Sequence, residues 1–180
     1  MITISLKRFI ETGEFGTIKI GSKKGEVINI LGEDYDYGDC GDSQIIKYGW
    51  YEFFYWTENE KIFGIQNDHL QMDCLNHDEM INFKNDNWMI DKWFLKDEEN
   101  ITFGQVKKLL ESENIAYKIE PLYGCEENII KCINSNVTFD FASEYSIIEF
   151  NEKEQPNEWI EITESEEDNY ILNGIRLFKY

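Results

Sequence analysis

A chain of 180 residues, 42% hydrophobic and with five Trp, twelve Phe and ten Tyr, has enough apolar area to fold around a core, which excludes intrinsic disorder. Its 17 basic residues against 36 acidic ones leave a net charge of −19, a field that repels nucleic-acid phosphates and anionic membranes and favours a basic protein partner. No apolar run approaches the roughly 20 residues of a membrane helix, and Cys40, Cys74, Cys125 and Cys132 lack the spacing of a disulfide scaffold.

The first nine residues have no long apolar core followed by a small-residue cleavage site, so the expectation is a cytoplasmic, reduced protein without a signal peptide. Ile4, Leu6, Phe9 and Ile10 predict a short amphipathic helix closed by Gly13. A short apolar run, Ile18-Lys19-Ile20, ends at Gly21. Ser22 then stands where a cap belongs, ahead of a helix with Val27, Ile30 and Leu31 on its apolar face and Gly32 as its stop. Residues 33–42 read as a loop dense in acids. Strands are predicted at 45–47 and 50–56, separated by a turn at 48–50. Alternation puts Tyr51, Phe53 and Tyr55 on one face and Glu52, Phe54 and Trp56 on the other. A polar turn at 57–60 leads to a strand over 61–66 that ends at Asn67-Asp68.

Residues 69–100 hold no single period, and 88–94 fits a strand or a helix. Thr102 and Gln105 form a T-x-x-Q capping box, and Val106, Leu109 and Leu110 follow at helical spacing to a helix end near 113–114. Strands are predicted at 115–119, 129–133, 137–142, 146–150, 158–163 and 170–180, with a turn at 165–169 joining the last two.

An internal repeat emerges when Val27 is set against Val106. Gly25 then falls on Gly104, and Ile30-Leu31 on Leu109-Leu110. Downstream, Ile45-Ile46-Lys47 is echoed by Ile129-Ile130-Lys131, residues 50–54 by 136–141, and Ile62-Phe63-Gly64-Ile65 by Ile147-Ile148-Glu149-Phe150. The expected fold is α+β: two tandem units, 1–92 and 93–180, each a helix followed by an antiparallel β-meander, packed as one compact protein.

Phe9-Ile10-x-Thr-Gly-x-Phe-Gly, then Ile18-Lys19-Ile20-Gly21, Val27-x-x-Ile-Leu-Gly32 and Lys47-Tyr48-Gly49 with Tyr51-Glu52-Phe53 resemble small bacterial proteins of the kind that act as immunity proteins in toxin systems. Many of those have a Pro soon after the Leu-Gly pair, where this chain has Glu33-Asp34. The helix–Leu-Gly–three-strand unit is also similar to the tandem units of beta-lactamase inhibitory protein and to a small outer-membrane assembly lipoprotein fold. The resemblance covers about residues 9–68 and rests on aliphatic, glycine and aromatic positions, which bear on fold more than on function.

Glu33, Asp34, Tyr35, Asp36, Tyr37, Asp39 and Asp42 are the candidate partner-binding residues, because tyrosines among carboxylates suit an interface with a basic surface. Read as a calcium loop from Asp34, the stretch has Asp39 in place of the sixth-position glycine and Ile45 in place of the closing Glu. Cys74-x-x-His77, with Asp68, His69 and Asp73 nearby, is one ligand pair where zinc takes four. There is no nucleophile elbow and no phosphate-binding glycine loop. No metal, cofactor or catalytic residue is expected. The functional expectation is a non-catalytic immunity protein that neutralises a cognate toxin, a basic nuclease, by electrostatic and steric occlusion. A structural or regulatory interaction module and a carboxylate-using hydrolase are the alternatives, the second because paired carboxylates are plentiful, although among 36 acids no one pair is informative.

Overall fold

The computed structural model describes residues 1–71, 81–96, 99–122, 124, 127–150 and 156–179. In chain order its elements are β1 (Ile2–Ser5), α1 (Leu6–Thr12), α2 (Lys24–Leu31), β2 (Asp36–Asp39), β3 (Ser43–Tyr48), β4 (Tyr51–Trp56), β5 (Ile62–Asp68) and β6 (Trp88–Asp91). They continue with α3 (Phe103–Ser112), β7 (Tyr117–Pro121), β8 (Asn128–Cys132), β9 (Thr138–Ala142), β10 (Glu144–Phe150), β11 (Pro156–Thr163), a 3-10 turn at Glu167–Asn169 and β12 (Ile171–Phe178). The architecture is mixed α/β and dominated by sheet. Eight strands form one sheet in the order β2-β3-β4-β5-β12-β9-β8-β7, and every neighbouring pair in it is antiparallel. β1 and β6 make a separate parallel pair, and β10 and β11 a separate hairpin.

Local chemistry explains where each helix starts. α1 begins at Leu6, later than the predicted Ile4. Ile2, Thr3 and Ile4 are β-branched and favour extended backbone, and Ile4 pairs with Ile90 of β6. Ser5 then caps α1 by accepting a hydrogen bond from the Arg8 N–H, and Gly13 ends it in a left-handed conformation at φ 75°. Ser22 does not cap α2. Its hydroxyl accepts from the Lys19 N–H and its carbonyl accepts from the Ile62 N–H, so it is tied to a turn and to β5. Lys23 takes the cap position, and the Glu26 carboxylate accepts from the Lys23 N–H at 2.9 Å. Gly32 ends α2 as expected.

The Thr102/Gln105 capping box forms as predicted. Thr102 Oγ1 accepts from the Gln105 N–H at 3.3 Å, and Gln105 Oε1 accepts from the Thr102 N–H at 2.8 Å. Thr102→Ala should therefore cost about 1 kcal/mol in a urea melt, the usual loss for a cap. An unchanged midpoint would show that packing alone holds the start of α3.

The alternation predicted for β4 decides which face is covered. Tyr51, Phe53 and Tyr55 are buried, while Phe54 and Trp56 keep partial contact with solvent. Onto the buried face pack Leu6, Phe9 and Ile10 of α1, Val27 and Leu31 of α2, Phe103, Val106 and Leu110 of α3, and Ile4, Trp88 and Ile90 of the β1–β6 pair. Residues from both halves of the chain belong to this one core. Two polar ties also join the halves: Lys7 Nζ meets Glu113 Oε2 at 2.6 Å, and Ser135 Oγ donates to the Ile10 carbonyl at 2.6 Å.

The opposite face carries an aromatic cluster of Phe54, Trp56, Phe63 and Phe178, in which Trp56 and Phe63 stack with centroids 4.1 Å apart. Gly64 permits this arrangement. A Cβ there would lie 2.2 Å from the Phe178 ring.

Three further expectations need correction. The stretch at 33–42 is not wholly loop: residues 36–39 form β2, an edge strand whose Asp36 pairs with Lys47 and whose Tyr37 pairs with Ile46. Strand propensity at Asp-Tyr-Gly-Asp is poor, and the pairing with β3 overrides it. Residues 147–150 do not occupy the place of residues 62–65. β5 lies in the middle of the large sheet, whereas β10 pairs only with β11, and β12 is the neighbour of both β5 and β9. The predicted strand at 115–119 runs instead over Tyr117–Pro121, with Pro121 at its end on an edge strand, where its missing N–H is harmless. Residue 180, Asp73, Cys74, His77 and Cys125 lie outside the described residues.

Candidate partner-binding site

The acidic residues fall at one edge of the large sheet. Gly32 ends α2, the chain turns, and β2 pairs with β3 on one side only among the described residues. Glu33, Asp34, Asp36, Asp39 and Asp42 are all exposed. The period of two places Asp36 on the face of Lys47, and Tyr37 and Asp39 on the face of Ile46 and Gln44. The seven candidates therefore do not form one patch on one face; they wrap the edge.

The two tyrosines part company. Tyr35 is half-buried, its ring 5.9 Å from that of Tyr48, whose hydroxyl donates to the Gly32 carbonyl at 2.6 Å. It belongs to the packing that anchors the loop. Tyr37 is 52% exposed and available for contact. Lost hydration, then Tyr55 and Asp39 nearby, raise the Tyr37 pKa, so it stays a neutral phenol at physiological pH. Behind it Lys24 lies 5.1 Å above the Tyr55 ring, and contact with the Tyr55 hydroxyl raises the Lys24 pKa.

Pairing separates these acids from many others. Glu14, Glu52, Asp68, Glu113, Glu120, Asp140 and Asp168 each meet a Lys or Arg. Glu33, Asp34, Asp36, Asp39 and Asp42 have no ion-pair partner among the described residues. Asp39 is used locally, accepting from the Gly41 N–H at 2.9 Å. The nearby cation, Lys47, is taken by Glu52 at 2.6 Å.

A second polar constellation, absent from the sequence reading, lies on the open face of the sheet. Arg176 of β12 reaches Asp68 Oδ1 at 2.9 Å and Asp140 Oδ2 at 3.0 Å through Nη2, and its Nε lies 2.7 Å from Asp140 Oδ1, off the hydrogen-bond axis. Asn173 Nδ2 donates to Asp140 Oδ2 at 2.9 Å, and Gln66 Nε2 donates to Glu52 Oε2 at 2.6 Å. Burial pushes the Asp140 carboxyl above its ordinary value, and Arg176 pulls it partly back. The available signal was a lone polar residue flanked by apolar ones in a strand: Asp140 between Phe139 and Phe141, Arg176 between Ile175 and Leu177.

Burial raises the Cys132 thiol to about 11, which makes it a poor nucleophile. Among the described residues no group of three or more His, Cys, Asp or Glu is arranged to hold a metal ion, and no helix is long and apolar enough to cross a membrane. What the acidic edge can do is attract and hold a cationic surface. Comparison of the chain with protein-family models, with curated proteins and with solved structures finds no match to any of the three.

Proposed function

We propose that this protein is a non-catalytic binding protein of the immunity type, acting in the cytoplasm, which occludes a cognate toxin with a basic active surface. The observation that carries this reading is the set of five exposed carboxylates at the β2 edge that no cation of the described residues neutralises. Uncompensated charge at an edge speeds encounter with a basic cleft. Tyr37 supplies an amphipathic contact once water leaves. The edge strand also offers backbone groups that are unpaired among the described residues, although its acids discourage pairing with another acidic chain such as a second copy of itself.

The framework for this edge is, in the same proposal, a pair of tandem units, the second closed by β12 in place of β10. Its support is register. Ile46 pairs with Phe53 and Phe53 with Ile65; correspondingly Ile130 pairs with Phe139 and Phe139 with Ile175. At the junction Asn67 pairs with Ile175 and Ile65 with Leu177, so exchanging 65 with 175 and 67 with 177 maps one junction pair onto the other.

The test is a stopped-flow and affinity comparison against the product of the adjacent gene, using Asp34→Asn, Asp36→Asn and Asp39→Asn combined. These exposed substitutions leave the core untouched. Binding should weaken by about 1 kcal/mol or more, mostly through slower association, and the difference should shrink at high salt. A folded triple variant with the wild-type rate and affinity would remove the β2 edge from the interface.

A further inference from the structure

Against the overall charge of the molecule, one cavity is cationic. A pocket of about 610 Å³ opens where the segment after α1 meets the end of β12 and the β8–β9 turn. Four of the 17 basic residues line it, namely Lys19, Lys131, Arg176 and Lys179, against one of the 36 acidic residues, Glu14. In a chain with twice as many acids as bases, chance would place about two acids beside every base. Three strands, β3, β4 and β5, separate β12 from β2, so this pocket is distinct from the acidic edge.

The charges are not equally committed. Arg176 is neutralised by Asp68 and Asp140. Glu14 is held by Arg8 at 3.2 Å. Lys131 lies 3.6 Å from Glu120, whose other oxygen meets Lys118 more closely. Lys19 and Lys179 form no ion pair among the described residues, and both are exposed. The cavity thus presents two uncommitted ammonium groups and a third loosely held one.

The rest of the lining suits an organic body attached to the anion. Ile20, Leu177 and Phe178 supply apolar contact, and the Asn136 side-chain amide makes no hydrogen bond to the described residues. The volume lies in the range of small-molecule sites. We propose that this pocket binds a small organic phosphate ester. The dianionic phosphate would sit between Lys19, Lys131 and Lys179, and the apolar part against Phe178. Ammonium groups bind phosphate as point charges without a dedicated fork, so three lysines suffice. This site is independent of any toxin partner.

The experiment is calorimetric titration of the full chain with AMP, inorganic phosphate, succinate and adenosine, repeated on Lys19→Gln/Lys179→Gln. The two lysines are exposed and form no ion pair among the described residues, so the variant should keep the wild-type melting temperature. AMP should bind with one site per chain, phosphate more weakly, and adenosine not at all. The double variant should bind AMP at least about tenfold more weakly, which corresponds to about 1.4 kcal/mol. Absence of saturable AMP binding at millimolar concentration would overturn the site, as would equal AMP affinity in the folded double variant. Succinate binding as tightly as AMP would overturn the phosphate assignment.

Discussion

Phe15→Ala should destabilise the protein by about 3–5 kcal/mol, the cost of truncating a fully buried phenylalanine. Phe15 is 1% exposed and lies at the centre of the core. Its ring centroid is 5.4 Å from that of Phe53, 5.6 Å from those of Tyr51 and Trp88, and 5.9 Å from that of Phe9. Those partners come from α1, β4 and β6, so one side chain joins the helix layer, the large sheet and the parallel pair. Removing it leaves a cavity between elements that cannot all collapse inward, and it forfeits edge-to-face contacts with several rings. The loss is a large share of the roughly 5–15 kcal/mol that separates a typical domain from its unfolded state. Urea melts measure it, with Phe15→Leu as the companion variant. Leu fills much of the volume and should cost distinctly less than Ala. A change within about 0.5 kcal/mol for Ala, the range of surface sites, would place Phe15 outside the core.

Arg176→Ala should cost about 2–3 kcal/mol at neutral pH and progressively less in acid. Breaking a buried ion pair usually costs more than this, but the Arg176 and Asp68 side chains are 32% and 29% exposed, and solvent screens part of the loss. What remains is the plight of Asp140, whose side chain is only 10% exposed and would keep Asn173 as its hydrogen-bond donor. The sign of the pH dependence follows from its titration. The folded carboxyl already sits above its ordinary 3.8 because of burial, and Arg176 is the strongest influence lowering it. Without Arg176 the folded pKa climbs further. Between 3.8 and that raised value the native state holds a proton that the unfolded chain has released, so stability increases as pH falls through this window. The destabilisation of Arg176→Ala relative to wild type should therefore be largest near pH 7 and shrink on acidification. Adding Asp140→Asn to it should recover much of the loss at neutral pH, since the charge that cannot be left unpaired is then gone. A loss that is independent of pH, or that Asp140→Asn fails to relieve, would mean that Arg176 stabilises through packing of its alkyl chain.

Much of the local structure was legible in the residues. The Thr102/Gln105 box, the glycine stops at Gly13 and Gly32, and the alternation of Tyr51, Phe53 and Tyr55 are short-range signals, decided by hydrogen bonds and side-chain spacing within a few residues. The same holds for the placement of Glu33, Asp34, Asp36, Asp39 and Asp42 at the surface, because unpaired carboxylates avoid burial. Tertiary structure decided the rest. Asp36–Asp39 became a strand only because β3 presented a pairing edge, and that pairing split Asp36 from Tyr37 across two faces. Tyr35 turned inward because the Tyr48 ring was there to receive it. β10 left the large sheet and β12 took the place beside β9, a choice between two apolar strands that composition cannot make. The cationic pocket and the Arg176 network join residues as distant in the chain as Lys19 and Lys179, or Asp68 and Arg176. Lone polar residues among apolar ones mark Asp140 and Arg176 separately, but nothing local says that they meet or that the pocket forms, because charge complementarity across a sheet depends on which strands become neighbours, and that is settled by the packing of the whole core.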